Sequence, residues 1–213
     1  MARIIDHLFG KIKGKLGNLI LSSWKGISYL RIRTAKFHDR KSVAQKKCRS
    51  RFSACSKMGS ILKTSLLMPI WNPVAEKMTG YNLFVRTNMK NFDDKGMICN
   101  YPGFIFSFGD LPGLRSPELK TIPGEEDRLE ITWIDNSEEV SASPDDQLMI
   151  VKIIGQEVSF MNKLPFTRSN RKAIFRYSYG KDGFFHCYPL FSNADFTQFS
   201  PNNYISISLN ESV

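Results

Sequence analysis

Residues 129–133 read LEITW and residues 204–209 read YISISL. Both alternate apolar and polar side chains, the period of a strand with one face buried and the other in water. Working outward, short apolar runs recur at Ile98–Tyr101, Phe104–Phe108, Leu129–Ile134, Gln147–Ile154, Val158–Met161, Ala173–Tyr179, Phe184–Leu190 and Tyr204–Leu209, most of them separated by clusters of Gly, Pro, Asn and Asp. Eight such runs within residues 96–213 predict an antiparallel β-sandwich, immunoglobulin-like in the broad sense. A disulfide-centred antibody-type domain is not expected, because Cys99 and Trp133 stand too far apart in the sequence.

Upstream of the turn-rich break at Asn91–Gly96 the period changes. Ser42 followed by Gln45 makes a capping-box start. From there Ala44, Cys48, Phe52, Cys55, Met58, Leu62 and Leu66 recur at three- and four-residue steps, the stripe of an amphipathic helix. The helix is expected to run to about Leu67, with Pro69 as its boundary. Val74–Met78 and Tyr81–Met89 read as further helix, interrupted near Thr79-Gly80, with Trp71, Tyr81, Phe84, Val85 and Met89 packing on the first helix.

Ahead of the helices lies GKIKGKLGNLILSSWKGISYLRIR, residues 10–33. Leu19–Trp24 and Ile27–Arg33 are β-prone runs joined by Lys25-Gly26, which predicts a hairpin. Its glycines are not those of a phosphate loop. Three residues separate Gly10 from Gly14 where a P-loop has four, and Lys15 is followed by Leu16. The fold class read here is α+β: a basic hairpin and helical region over residues 1–95, then the sandwich over residues 96–213.

Charge divides the chain at the same place. The formal net charge is +10; residues 1–95 hold 20 Lys/Arg against 5 Asp/Glu, while residues 96–213 hold 10 against 15. A polyanion or acidic partner would therefore bind the first half. The candidate anion- or partner-binding residues are Lys11, Lys13, Lys15, Lys25, Arg31, Arg33, Lys36, Arg40, Lys41, Lys46, Lys47, Arg49 and Arg51.

Catalytic and metal constellations are missing from the pattern. No G-x-S-x-G, H-E-x-x-H or CxxC occurs, and His7, His38 and His186 are dispersed. His38-Asp39 has no assignable nucleophile. The acids at Glu125–Asp127, Glu138-Glu139 and Asp145-Asp146 fall between predicted strands, where solvated turn acids are expected. Cys48 and Cys55, seven apart on one helix, are too distant for a disulfide; Cys99 and Cys187 would meet only across the sandwich. No enzyme activity, cofactor or metal is expected. Met1–Trp24 carries Asp6, Lys11, Lys13 and Lys15 and has no apolar core of signal-peptide length, and no run approaches a bilayer span. The expected location is cytoplasmic or particle-associated.

GKLGNLILSSWKGISYLR resembles the opening of a bacterial family known as domain-of-unknown-function family 6266. Ala44-Gln45 before a basic helix, Tyr81–Val85 (YNLFV) ahead of Asn88, Phe106-Ser107-x-Gly109-x-Leu111, Ile131-Thr132-Trp133, Asp145-Asp146 and Tyr188 follow in similar order. Arg40-Lys41-Ser42 departs from the family pattern, which has a Pro-Thr turn there. The resemblance implies a bacterial origin and a two-part architecture, but no activity and no site residue. Two functions are then expected in order: a non-catalytic structural, assembly or protein-interaction module, such as part of a virion or other self-assembling bacterial particle; and, second, sequence-nonspecific nucleic-acid binding by the basic half.

Overall fold

A computed structural model describes residues 2–3, 13–35, 39–162, 164–177 and 183–209. It is a mixed α and β fold with antiparallel sheets and few helices. Gln147–Ile154 explains most of its arrangement. This strand is apolar on both faces: Leu148 and Ile150 point into one core, Met149, Val151 and Ile153 into another. A strand with no polar face must lie between two layers.

The chain order is β1 (Ala2–Arg3), β2 (Gly14–Leu16), β3 (Leu19–Trp24), β4 (Ile27–Ile32), α1 (Val43–Ile61), a π-helical segment (Lys63–Trp71), α2 (Gly80–Asn88), β5 (Arg115–Ile122), β6 (Glu125–Ile134), β7 (Gln147–Ile154), β8 (Glu157–Met161), β9 (Lys172–Arg176), β10 (Phe184–Ser192) and β11 (Ile205–Ser208). Three sheets form, in the orders β1-β4-β3-β2, β11-β10-β7-β8 and β5-β6-β9. One core lies between the second and third sheets and holds Leu129, Ile131, Trp133, Phe175, Phe185 and Phe191. The other lies between the second sheet and the helices, around Trp71, Phe84, Phe104, Phe106 and Tyr188. None of the helices is long and apolar enough to cross a membrane, among the described residues.

The capping box is present as expected: Gln45 N–H donates to Ser42 Oγ at 3.2 Å and Ser42 N–H to Gln45 Oε1 at 3.1 Å. The expected packing also forms, with Tyr81 Oη donating to the Ser56 carbonyl at 3.0 Å and Trp71, Phe84 and Val85 buried. Pro69, however, is not a boundary. α1 ends at Ile61, and Pro69 sits within the π-helical segment. There the amides of Leu67 and Asn72 reach five residues back, to Leu62 and Leu67. The wider winding carries the chain past a ring that would clash in a regular α-helix. Val74–Met78 forms turns rather than helix. Thr79 caps α2, accepting from Asn82 N–H at 3.2 Å. Gly80 follows it where a Cβ would lie 2.6 Å from the Asn72 nitrogen.

Two expected strands are missing. Phe104–Phe108 is extended, with Phe104 and Phe106 buried and Ile105 exposed, but no neighbouring strand pairs with it. Side-chain amides take the ladder's place. Ile105 N–H donates to Asn88 Oδ1 and Asn88 Nδ2 to the Ile105 carbonyl, both at 2.9 Å. Asn202 Oδ1 accepts from Phe106 N–H at 2.8 Å and from Ser107 N–H at 3.2 Å. Ile98–Tyr101 keeps a single bridge, Phe92 to Ile98, before a 3₁₀ turn at Tyr101–Gly103. Conversely, β5 forms despite Pro117. It is an edge strand whose register shifts between Arg115 and Glu118, the setting in which a sheet accommodates proline.

Asp146 also departs from expectation. It is buried, its Oδ2 accepts from buried Arg168 Nε at 3.0 Å, and Arg168 Nη2 lies at ion-pair distance from the same oxygen, also 3.0 Å. Arg168 donates further to Asn136 Oδ1 at 2.5 Å and the Pro112 carbonyl at 2.8 Å, and lies over the Phe191 ring at 4.1 Å. Arg168→Ala would leave Asp146 charged without its main partner. It is expected to lower stability by about 3–5 kcal/mol in urea unfolding. Replacing both residues together, Asp146→Leu with Arg168→Met, is expected to cost less than Arg168→Ala alone.

Candidate functional site

The N-terminal sheet stands apart from both cores: no residue of it joins either one, among the described residues. Its hairpin forms as expected. Lys25 and Gly26 take φ values of 45° and 78°, the paired positive φ of a tight two-residue turn. The register runs from Trp24 opposite Ile27 to Leu19 opposite Ile32, and β2 adds Leu16 opposite Leu19 and Lys15 opposite Ile20.

Residues opposite one another share a face, and faces alternate along each strand. The register therefore sorts the side chains into two sets. One face carries Leu16, Leu19, Leu21, Leu30 and Ile32, with Ser23 and Ser28 at the turn end. It has no charge, and Leu16 and Ile32 are each 70% exposed. The other face carries Lys15, Ile20 and Arg31 in one cross-strand row, then Ser22 with Tyr29, then Trp24 with Ile27. Trp24 is 44% exposed. No Asp or Glu occurs anywhere in residues 13–35.

The thirteen expected cations separate accordingly. Lys11 and Lys36 lie outside the described residues, as do Phe37 and His38. Lys13, Lys15, Arg31, Arg33, Arg40, Lys41 and Lys46 are exposed and form no ion pair among the described residues. Lys25 Nζ donates to the Met78 carbonyl and lies 5.9 Å from the Trp24 ring centre. The other three belong to α1 and are partnered. Arg49 grips Asp39 through two hydrogen bonds, of 2.7 and 3.1 Å. Lys47 pairs with Asp94 at 2.7 Å, and Arg51 pairs with the same carboxylate. The Arg49 guanidinium holds the Asp39 carboxyl below its ordinary range, and Lys47 and then Arg51 do the same to Asp94. Three of the four cations read from the basic helix are therefore ion-paired, two of them sharing one carboxylate.

α1 also leaves part of its apolar stripe exposed. Its stripe is buried only in the second half, at Cys55 and Met58; Ala44, Cys48 and Phe52 are exposed. Periodicity located the stripe correctly but could not reveal how much of it a neighbour covers.

Elsewhere the described residues hold no group of three or more metal-ligating side chains. Cys48 and Cys99 are exposed, Cys55 and Cys187 are buried, and all four are free. Burial pushes the Cys55 thiol up to about 12 and raises that of Cys187 as well. A groove of about 680 Å³ runs along α1 past Lys57, Lys95 and Gln156. On the helix-facing side of β10, His186 stacks on Tyr101 with ring centres 3.7 Å apart, and its Nδ1 lies 2.9 Å from Tyr204 Oη. This aromatic cluster was not foreseen, since its members come from separate runs of the sequence.

The model of a family of unknown function, DUF6266, matches residues 11–178, a span that includes the hairpin, the helices and the strands through β9. No curated protein and no solved structure matches the chain.

Burial holds His186 below the ordinary imidazole value of 6.5, so the folded chain takes up this proton less readily than the unfolded chain. The contribution is complete above that value and is lost as pH falls below it. Urea midpoints measured from about pH 8 down to about pH 5 are expected to fall less steeply in His186→Phe than in the parent protein.

Proposed function

Since the chain belongs to the DUF6266 family, whose function is unknown, we propose from its geometry that it is a non-catalytic structural, assembly or protein-interaction module. The N-terminal sheet is its contact surface. The observation that carries this reading is the aliphatic face of Leu16, Leu19, Leu21, Leu30 and Ile32, which lies outside both cores. Short strands with one apolar face gain little unless that face is packed, and exposed apolar surface of this kind is typical of a protein contact. Residues 1–95 supply the contact in this reading and residues 96–213 a rigid support, with α1, the π-helical segment and α2 anchoring one on the other. We take the support to be immunoglobulin-like in the broad sense; the sheet orders β5-β6-β9 and β11-β10-β7-β8 favour this. A virion or other self-assembling bacterial particle is a fitting setting.

A second reading, nucleic-acid binding by the basic half, is favoured by one observation: residues 13–35 hold five cations and no acid.

The assembly reading is tested by light-scattering mass across protein concentration. The parent protein is expected to grow in mass with concentration, and the Leu16→Glu, Ile32→Glu double variant to remain monomeric. Both positions are 70% exposed and lie outside the cores, so folding stability should change by no more than about 0.5 kcal/mol. A parent protein that stays monomeric at high concentration would count against self-assembly.

A further inference from the structure

The second face of the N-terminal sheet combines three properties rarely brought together by chance. It has cations without acids, an exposed Trp24 with a half-buried Tyr29 on the same face, and three adjacent paired strands, β2, β3 and β4. Lys15 and Arg31 flank Ile20 on adjacent strands, and Tyr29 and Trp24 lie farther along the same face towards the turn. Arg33 continues the cationic end, Lys13 precedes Gly14 on the side of the Ser22–Tyr29 row, and Lys25 sits beside Trp24 at the turn. The cations of α1 differ, because Asp39 and Asp94 already occupy three of them.

The geometry points to a binding face for single-stranded nucleic acid, with phosphates at the Lys15, Arg31 and Arg33 end and bases stacked on Tyr29 and Trp24. This deepens the nucleic-acid reading above, and rests on it, by naming the face and the class of strand. Charge complementarity argues for a polyanion, and the aromatic rings decide which kind. Every base has a π-face, so an aromatic platform within a basic surface holds unpaired bases whatever their sequence. In a duplex those faces are stacked on one another and hidden from a sheet face, leaving only the phosphates to contact. The apolar set lies on the opposite side, so a strand held here would not compete with a protein packed there.

Tryptophan emission reports directly on the site. Trp71 and Trp133 are 1% and 4% exposed while Trp24 is 44% exposed, so Trp24 is the tryptophan that a bound base or a dissolved quencher can reach. The experiment titrates the full chain with an unstructured single-stranded oligonucleotide, and with a duplex of the same length, over a range of salt. Anisotropy reads affinity, and emission reads stacking. The single strand is expected to bind more tightly than the duplex, to change the emission, and to shield Trp24 from iodide. Trp24→Ala is expected to weaken single-strand binding about tenfold, and Trp24→Phe less. Lys15→Gln with Arg31→Gln is expected to reduce the steepness of the salt dependence by about 1.4, the amount for two lost phosphate contacts on a single strand.

Equal affinity for both strands, or binding that leaves Trp24 emission and Trp24→Ala affinity unchanged, would overturn the single-strand assignment while leaving phosphate binding by the basic half intact. Absence of binding at low salt would overturn both. Far-ultraviolet circular dichroism of each variant separates a lost contact from a lost fold, since none of the substituted side chains lies in either core.

Discussion

The fold depends on burying the two central strands of one sheet from both sides. β7 is apolar on each face, and β10 is buried along its length from Phe185 to Ser192. Neither strand can present a face to water, so the sheet they form must be covered twice. The β5-β6-β9 sheet covers one side, and the two α-helices with their π-helical link cover the other. At about 25 cal/mol for each Å² of apolar surface removed from water, two strands so enclosed outweigh any local preference of the connecting segments. The helices therefore do more than precede the β region in the sequence. They share a core with it, through Trp71 and Phe84 against Phe106 and Tyr188.

Much of this was legible in the residues. The alternation in β6 and β11, the continuous apolar run of β7, the Ser42–Gln45 cap and the Lys25-Gly26 turn each rest on a local rule, and each formed. What remained hidden depended on partners distant in sequence. Phe104–Phe108 has the period of a strand and even its extended backbone. Whether such a chain finds a ladder or the side chains of Asn88 and Asn202 is decided by what lies beside it. Asp146 looked like one more turn acid because nothing near it in sequence announces Arg168, twenty-two residues on. Pro69 stopped the helix on paper because the rule assumes α winding; the π-helical segment removes that assumption.

The candidate surface was only half legible. Counting charge over residues 1–95 located the basic region but treated its cations as equivalent. They are not. Asp39 and Asp94 pair with three cations of α1, whereas the strands of the hairpin contain no acid to do so. Nor does counting reveal sidedness. A shift of one residue in register would have moved every leucine of β3 to the face that carries Tyr29 and Arg31. The two-residue turn fixes the register, and with it the separation of an aliphatic face from a cationic, aromatic one.

That separation constrains what the N-terminal sheet can be for. Its strands are two, three and six residues long, and a small sheet of this size is stable only when its apolar face is packed. Here the cores of the body are already full: Leu62, Leu66, Phe84 and Phe106 are completely enclosed without any contribution from the hairpin. Neither core thus includes a residue of the sheet, and the sheet's apolar face lies outside both, among the described residues. A surface outside both cores, with aliphatic side chains on one side and cations without acids on the other, gains from any contact that covers its apolar side. In the reading proposed above, contact with a partner is what covers that side, and the register that sets the aliphatic face against the cationic one is what makes such a contact one-sided.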